Sequence, residues 1–108
     1  MSVAFLNGAF LPLKDASISP LDRGFLFADG VYEVIPYYAG RSFGLTEHLT
    51  RLIRSLSETK IPLDWSVNDW EVLLDKLVAK NGGGDLSVYL QVTRGAYDTR
   101  NHSFPTDV

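Results

Sequence analysis

The feature that most restricts the fold of this 108-residue chain is a change of hydrophobic period near its middle. The segment TEHLTRLIRSLSETK, residues 46–60, has four apolar residues at the i, i+3, i+4, i+7 spacing of one helix face: Leu49, Leu52, Ile53 and Leu56. A second stripe of the same kind follows Ser66 and consists of Trp70, Leu73, Leu74, Leu77 and Val78. Two amphipathic helices are therefore predicted, and each must bury its apolar face against another element.

Local signals predict where these helices begin and end. Thr46 is a suitable N-cap for the first helix, and Glu47 complements the helix dipole in its first turn. Pro62 ends that helix, because proline cannot continue the hydrogen-bonding pattern. The second helix is predicted to stop at Asn81 and the three glycines that follow it, through a left-handed C-cap.

The flanking segments have the period-two pattern of strands. Asn7-Gly8 joins two short apolar runs and predicts a hairpin, and Ala39-Gly40 divides VYEVIPYYAGRSFGL into two further strands. KDASISPLDRG between them is predicted to be a loop, and Pro36 suggests a sheet edge or a bulge. LSVYLQVTRG alternates apolar and polar residues as a half-buried strand does. The order predicts an α+β fold, with the two helices on one face of a mainly antiparallel sheet.

Composition excludes several classes of function. The formal net charge of −3 and the pI near 5.2 argue against a general binder of nucleic acid or anionic membranes. The chain has no cysteine, which excludes disulfides, thiolate metal sites and cysteine nucleophiles within it. It has only two histidines, so an all-histidine metal site is not expected either. No window approaches the ~20 apolar residues that span a bilayer, and the N-terminus lacks the features of a signal peptide, so a cytoplasmic location is expected.

Tyr32 is the first candidate for a functional role. It stands in DRGFLFADGVYEV, just beyond the Asp29-Gly30 turn. A strand aromatic at this position is typically a core residue. A buried phenol without a hydrogen-bond partner is unfavourable, however, so the hydroxyl of Tyr32 is expected to reach a polar group.

Two clusters of cationic residues are the other candidates. His48, Arg51 and Ser55 lie on the side of the first helix opposite its leucine stripe, which is either a solvated face or an anion site. Arg94, Arg100 and His102 lie in TRGAYDTRNHSFP. In an extended segment Arg100 and His102 project to the same side and form a small cationic site suited to a carboxylate. The alternative is that they belong to a polar loop after the strand. No nucleophile–base pair and no phosphate-binding glycine loop is present, so the residues alone indicate a small anion-binding domain.

Four motifs together resemble a known family. DRGFLFADGVYEV, EHLTRL, VYLQVTRG and TRNHSFP occur in the order and spacing of the N-terminal domain of fold-type IV pyridoxal-phosphate enzymes, the class IV aminotransferases. The pattern is most similar to that of D-amino-acid aminotransferases and covers nearly the whole chain. The family usually has glycine where this chain has Ala28, a change between small residues.

The resemblance implies roles for individual residues. Tyr32 would face the active site, and Arg51 would bind the phosphate of pyridoxal 5′-phosphate. Arg100 and His102 match the Arg-x-His pair that holds the substrate α-carboxylate together with the tyrosine hydroxyl. Branched-chain relatives lack that pair, so the resemblance favours D-amino acids such as D-alanine, with a 2-oxo acid as acceptor. His48 is left without a role.

The resemblance also implies that residues 1–108 are one domain of a longer enzyme. The family's Schiff-base lysine lies in a second domain, and Lys14, Lys60, Lys76 and Lys80 match no such motif. The chain alone is therefore expected to be inactive, since it holds no catalytic lysine, and a homodimer is expected because the family is dimeric. Alternatives are an aminodeoxychorismate lyase, a branched-chain aminotransferase, and a stand-alone binding module without catalysis.

Overall fold

The first two strands form a hairpin at the N-terminus. A computed structural model of the chain describes residues 2–108. Strand β1 (Val3–Leu6) pairs antiparallel with β2 (Ala9–Pro12) as a separate two-stranded sheet. The turn residues have φ values of 49° at Asn7 and 91° at Gly8, the left-handed conformations that a tight hairpin requires. The predicted Asn-Gly hairpin is confirmed.

The second sheet has three strands in the order β4-β3-β5. Its central strand β3 (Gly30–Tyr38) pairs antiparallel with β5 (Leu86–Thr93) and with the two-residue strand β4 (Arg41–Ser42). The antiparallel pairing is as predicted, but the strands are divided between two sheets, whereas one was expected. The division arises because β1 and β2 contact each other and the second helix instead of extending the three-stranded sheet.

Pro36 lies within β3 at a position where it makes one of the two cross-strand hydrogen bonds that a residue with an N–H could make. Its carbonyl accepts from the N–H of Phe43 at 2.9 Å, so its nitrogen also points toward the β4 side of the strand. Within residues 2–108, strand β4 pairs only with Tyr37 and Tyr38, and no strand pairs with the earlier part of β3 on that side. Pro36 therefore lies where the pairing with β4 stops, but β3 is the central strand and the predicted edge or bulge is not what the structure shows.

The two predicted helices are α2 (Leu45–Glu58) and α3 (Val67–Lys80). A capping box begins α3: the Ser66 side chain accepts from the Asp69 N–H, and the Asp69 carboxylate accepts from the Ser66 N–H. The predicted N-cap at Thr46 is wrong, because α2 begins at Leu45 with Gly44 as its N-cap at φ 70°. Helix α2 ends at Glu58, before Pro62, and Lys60 between them has a left-handed φ of 58°.

The apolar stripes of both helices pack on the inner face of the three-stranded sheet. Fully buried leucines of this kind each contribute about 1.5–3 kcal/mol relative to exposure. The buried hydrophobic residues are Ile35, Tyr37, Leu49, Leu52, Leu56, Ile61, Trp70, Leu74, Val78 and Val88. Val31, Leu90 and Val92 extend this core along the same face of β3 and β5. The predicted stripes are therefore the surfaces that build the core.

The Asn81 side chain attaches the N-terminal hairpin to the end of α3. Asn81, just after that helix, accepts from the Val3 N–H at 2.9 Å through Oδ1 and donates to the Val3 carbonyl at 3.0 Å through Nδ2. The amide also donates to the Leu77 carbonyl at 2.8 Å. The Asn81 side chain therefore provides hydrogen-bond partners for backbone groups of strand β1 and for a carbonyl at the end of α3.

The predicted loop before β3 contains a one-turn helix, α1 (Arg23–Phe27). The Asp22 carboxylate caps it by accepting from the Gly24 N–H at 2.7 Å, and Ala28 ends it at φ 54°. A Cβ at Gly24 would lie 2.3 Å from Cγ2 of Thr93, so only glycine lets α1 lie this close to β5. Of the helices in residues 2–108, none combines the length and apolar character needed to cross a bilayer.

Candidate functional site

A buried carboxylate on β3 organises the first part of the site. Alternate β3 residues face the helices, and Glu33 occupies one of these inward positions between Val31 and Ile35, with only 4% of its surface exposed. Its Oε2 accepts from Nε of Arg51 at 2.7 Å, and its Oε1 accepts from Nη2 at 2.6 Å. This is a bidentate pair in which the carboxylate fixes both the position and the plane of the guanidinium.

His48 completes this cluster from one turn earlier on α2. Its Nδ1 lies 2.7 Å from Oε1 of Glu33. The hydrogen bonds from Arg51 lower the pKa of Glu33, burial opposes them, and the contact with His48 lowers it further. An ionised carboxylate only accepts hydrogen bonds, so the proton of the shared bond lies on Nδ1 of His48.

Arg51 presents one side of its guanidinium to the outside. The side chain is 57% exposed even though its Nε and Nη2 bind a buried carboxylate. The hydrogen bonds and the charge of Glu33 raise the pKa of Arg51, and Tyr32 adds a smaller contribution in the same direction. A permanently charged, oriented group with an exposed Nη1 is suited to an anion such as a phosphate. The interpretation of this helix face as merely solvated is therefore wrong for His48 and Arg51.

A second cluster places one carboxylate between two buried arginines. Oδ2 of Asp29 accepts from Nε of Arg23 and from Nε of Arg94, both at 2.8 Å. Burial raises the pKa of Asp29, but the hydrogen bonds from Arg94 and Arg23 outweigh it and leave the pKa below its ordinary value. Arg94 also donates to the carbonyls of Thr59 at 2.7 Å and Lys60 at 3.3 Å, at the end of α2. Arg94 is thus a structural residue and not a partner of Arg100 and His102.

Arg100 and His102 meet at one aromatic ring. The guanidinium carbon of Arg100 lies 4.9 Å from the centre of the Phe27 ring, and the His102 ring lies 4.8 Å from it. Both residues are exposed. Beside them lies a cleft of about 410 Å³, lined by Arg23, Phe27, Ala28, Asp29, His102 and Phe104. The structure therefore brings these two predicted residues together at an open surface.

Tyr32 lies on the outer face of the three-stranded sheet. It is 63% exposed and stacks on Tyr89 of β5, with ring centres 5.7 Å apart and planes at 19°. The interpretation of Tyr32 as a core aromatic is therefore wrong. No hydrogen bond within residues 2–108 joins Tyr32 to Arg100 or His102, whose ring contacts are with α1.

Four residues that organise the site were not assigned such a role from the sequence: Arg23, Phe27, Asp29 and Glu33. For Glu33 a signal exists, because it interrupts an otherwise apolar inward series of β3 and so requires a cationic partner. For Arg23 and Asp29 the sequence offers no comparable signal, since the groups that complete their cluster, Arg94 and the Asn101 carbonyl, lie far along the chain.

Comparison with known proteins identifies the family. A family model described as amino-transferase class IV matches residues 30–107. The chain belongs to the class IV aminotransferases. Among curated members of this family, the D-alanine aminotransferase of Staphylococcus aureus (strain N315) is 44% identical over 106 residues, which are 98% of this chain and 37% of the relative. That of Listeria innocua is 42% identical over 102 residues, 94% of this chain and 35% of the relative.

Solved class IV structures share the fold. The branched-chain amino acid aminotransferase of Escherichia coli matches with a TM-score of 0.82 at 20% identity, covering 94% of this chain and 34% of that one. The 4-amino-4-deoxychorismate lyase of Pseudomonas aeruginosa matches with a TM-score of 0.71 at 33% identity, covering 85% and 32%. The α+β prediction is confirmed. The chain spans little more than a third of the length of the curated relatives it matches.

Proposed function

We propose that residues 1–108 are the N-terminal domain of a pyridoxal-phosphate-dependent aminotransferase that transfers the amino group of a D-amino acid, such as D-alanine, to a 2-oxo acid. The observation that carries the proposal is the bidentate Glu33–Arg51 pair, which holds an exposed guanidinium in a fixed orientation. Sequence identity of 44% to a D-alanine aminotransferase supports the choice of reaction and substrate.

The residues present fit the phosphate of the cofactor. Arg51 is anchored through Nε and Nη2, so its Nη1 edge is left to donate to phosphate oxygens. Pyridoxal phosphate supplies the electron sink that stabilises negative charge at the amino acid Cα. The lysine that carries the cofactor in this proposal belongs to a C-terminal domain outside these 108 residues.

The proposed substrate site consists of Arg100, His102 and Tyr32. A guanidinium and an imidazole beside one ring would attract the α-carboxylate, and the Tyr32 hydroxyl would donate to it. A carboxylate held on one side decides which face of the amino acid Cα–H bond meets the catalytic base. In this proposal the anchor selects the D enantiomer.

The proposed assembly is a cytoplasmic homodimer. Its support is the exposed apolar character of the outer sheet face, where Tyr32, Val34 and Tyr89 are all more than 40% exposed. Apolar patches of this kind commonly mark contacts between chains or domains. Light scattering on the complete protein tests this arrangement, and a strictly monomeric profile counts against it.

The test of the reaction uses the complete reading frame, purified with pyridoxal phosphate. D-alanine plus 2-oxoglutarate is compared with L-isoleucine plus 2-oxoglutarate, and cleavage of aminodeoxychorismate is scored in parallel. Turnover of D-alanine alone supports the proposal. Turnover of L-isoleucine would indicate a branched-chain enzyme, and pyruvate release from aminodeoxychorismate alone would indicate a lyase.

The 108-residue chain serves as the control for the location of the lysine. We expect it to show no transaminase activity and no specific borohydride-reducible adduct with pyridoxal phosphate. Turnover by this chain would contradict the assignment of the catalytic lysine to a second domain. A reading frame that stops at Val108 would instead favour a binding module without catalysis.

A further inference from the structure

We infer that α1 is a platform that fixes the positions of Arg100 and His102, and that Arg23 and Phe27 are its positioning residues. The consequence for substrate binding rests on the proposed function. The need for a platform arises because residues 97–108 form no helix or strand, so no regular element orients the two side chains. The preceding residues are joined to α1 by an isolated bridge between Asp22 and Ala96 and by the Arg23 N–H, which donates to the Gly95 carbonyl at 2.8 Å.

Arg23 holds the backbone of the segment. Its Nη1 donates to the carbonyl of Asn101, and its Nη2 lies 3.4 Å from the carbonyl of His102. One of these carbonyls belongs to the residue between Arg100 and His102, and the other belongs to His102 itself. The guanidinium therefore acts on the position of the pair without approaching a substrate itself.

Arg23 is itself immobilised. Only 6% of its side chain is exposed, and Asp29 accepts from its Nε at 2.8 Å. Asp29 also binds Arg94, whose other donors reach carbonyls at the end of α2. Two arginines share one carboxylate, and the surplus positive charge is offset by backbone carbonyl dipoles from α2 and from the segment. The segment is thereby connected to the rigid core.

Phe27 orients the side chains. Three groups lie close to its ring centre: the guanidinium carbons of Arg23 at 4.8 Å and Arg100 at 4.9 Å, and the His102 ring at 4.8 Å. Cation–π contacts of this geometry contribute about 0.5–2 kcal/mol. Because Arg100 and His102 are exposed, the main effect of these contacts is to restrict the side-chain rotamers, and their contribution to the stability of the core is small. Phe27 therefore serves to pre-organise the pair.

The platform is tested in the complete protein with substitutions in α1. Phe27→Leu removes the ring contacts and keeps the residue apolar. Phe27→Tyr keeps the ring, and Phe25→Leu is the matched control because Phe25 is 75% exposed in the same turn. Hydrogen–deuterium exchange of peptides covering residues 99–104 reports the order of the segment independently of activity.

We expect Phe27→Leu to accelerate exchange in residues 99–104 and to raise the KM for D-alanine about tenfold, the fold-change that corresponds to about 1.4 kcal/mol. We expect kcat to remain within about twofold and the absorbance of the bound cofactor to be unchanged, since Arg51 is not affected. Phe27→Tyr and Phe25→Leu should resemble the unsubstituted protein. Arg23→Lys, which cannot bridge both carbonyls, should accelerate the same exchange.

Unchanged exchange in both Phe27→Leu and Arg23→Lys would overturn the platform. Arg100→Gln separates this failure from failure of the proposed function. If Phe27→Leu accelerates exchange while both it and Arg100→Gln leave the KM unchanged, the platform stands and the assignment of Arg100 to the carboxylate site fails. If Arg100→Gln raises the KM but Phe27→Leu does not, the positioning role of Phe27 is overturned.

Discussion

Glu33 and Arg51 are joined by two hydrogen bonds of 2.7 and 2.6 Å, although the carboxylate is buried and the guanidinium side chain is 57% exposed. The pair therefore connects the core to the surface. The buried carboxylate has little freedom to move, and its two hydrogen bonds hold the Arg51 guanidinium in one orientation. An arginine constrained in this way loses less conformational entropy when it binds an anion.

The first prediction concerns the carboxylate of Glu33. Glu33→Gln keeps the side-chain volume but replaces the bidentate acceptor by an amide, leaving Arg51 and His48 with poorer partners. We expect the free energy of unfolding to fall by about 2 kcal/mol, the typical contribution of hydrogen bonds to a charged group. Urea denaturation measures this loss. Glu58→Gln, which alters a surface pair 4.0 Å apart, should cost less than about 0.5 kcal/mol, and an equal effect of the two substitutions would contradict the role of Glu33.

The second prediction separates two neighbouring arginines of α2. Arg51→Lys removes the planar fork that Glu33 orients, so we expect the affinity of the complete protein for pyridoxal phosphate to fall about 10- to 100-fold. Arg54→Lys is the control, because Arg54 lies on an exposed face with 68% of its side chain accessible. Absorbance titration of the cofactor measures both. Equal losses in the two variants would show that Arg51 has no special contact with the phosphate.

The third prediction is the pH dependence of stability. The pKa values of Glu33 and Asp29 are lowered by folding from ordinary values of 4.5 and 3.8, so the unfolded chain binds more protons in acid. Their contribution is complete above about pH 5 and is lost as the pH falls through the folded-state pKa values. The free energy of unfolding should therefore decline below about pH 4.5. Glu33→Gln should make this decline shallower, and an identical slope in the variant would contradict the assignment.

The fourth prediction concerns the contact between α1 and β5. Gly24→Ala would bring a Cβ to 2.3 Å from Cγ2 and 3.0 Å from Cβ of Thr93, so α1 must shift or the chain must lose about 1–3 kcal/mol of stability. Thr93→Ser removes Cγ2 and keeps the hydroxyl that accepts from the Gly95 N–H. Thermal unfolding should show the double substitution recovering part of the loss. Purely additive effects would indicate that Gly24 is required for another reason.

The elements that could be predicted from the sequence are those set by short-range signals. The Asn7-Gly8 turn and the stripe of α3, with its start after Ser66, each depend on residues close together in the sequence. Helix α1 could not be predicted in this way, because five residues are too few to show a period and Gly24 weakens the helical pattern. Its position depends on Thr93, which lies 69 residues later in the chain.

The site was predictable only in part for the same reason. His48 and Arg51 share a helix face by spacing, but the carboxylate that binds both of them is on β3. The inward register of Glu33 was the available signal. Tyr32 directly precedes Glu33 in β3, so its side chain lies on the opposite face of the sheet. The Asp29-Gly30 turn before the strand does not indicate this orientation. For Arg51, Arg100 and His102 the family resemblance supplied roles that their local sequence leaves open.

The attachment of Val3 to Asn81 has a consequence for the order of folding. Synthesis of the N-terminal hairpin precedes that of its anchor by 78 residues, and a two-stranded hairpin is marginally stable by itself. Closing so long a loop carries an entropic cost that local helix formation does not. We therefore expect α3 to form before the hairpin docks. Pulse-labelling hydrogen exchange should show the Val3 amide protected later than the amides of α3, so that a strand synthesised before this helix becomes fixed after it.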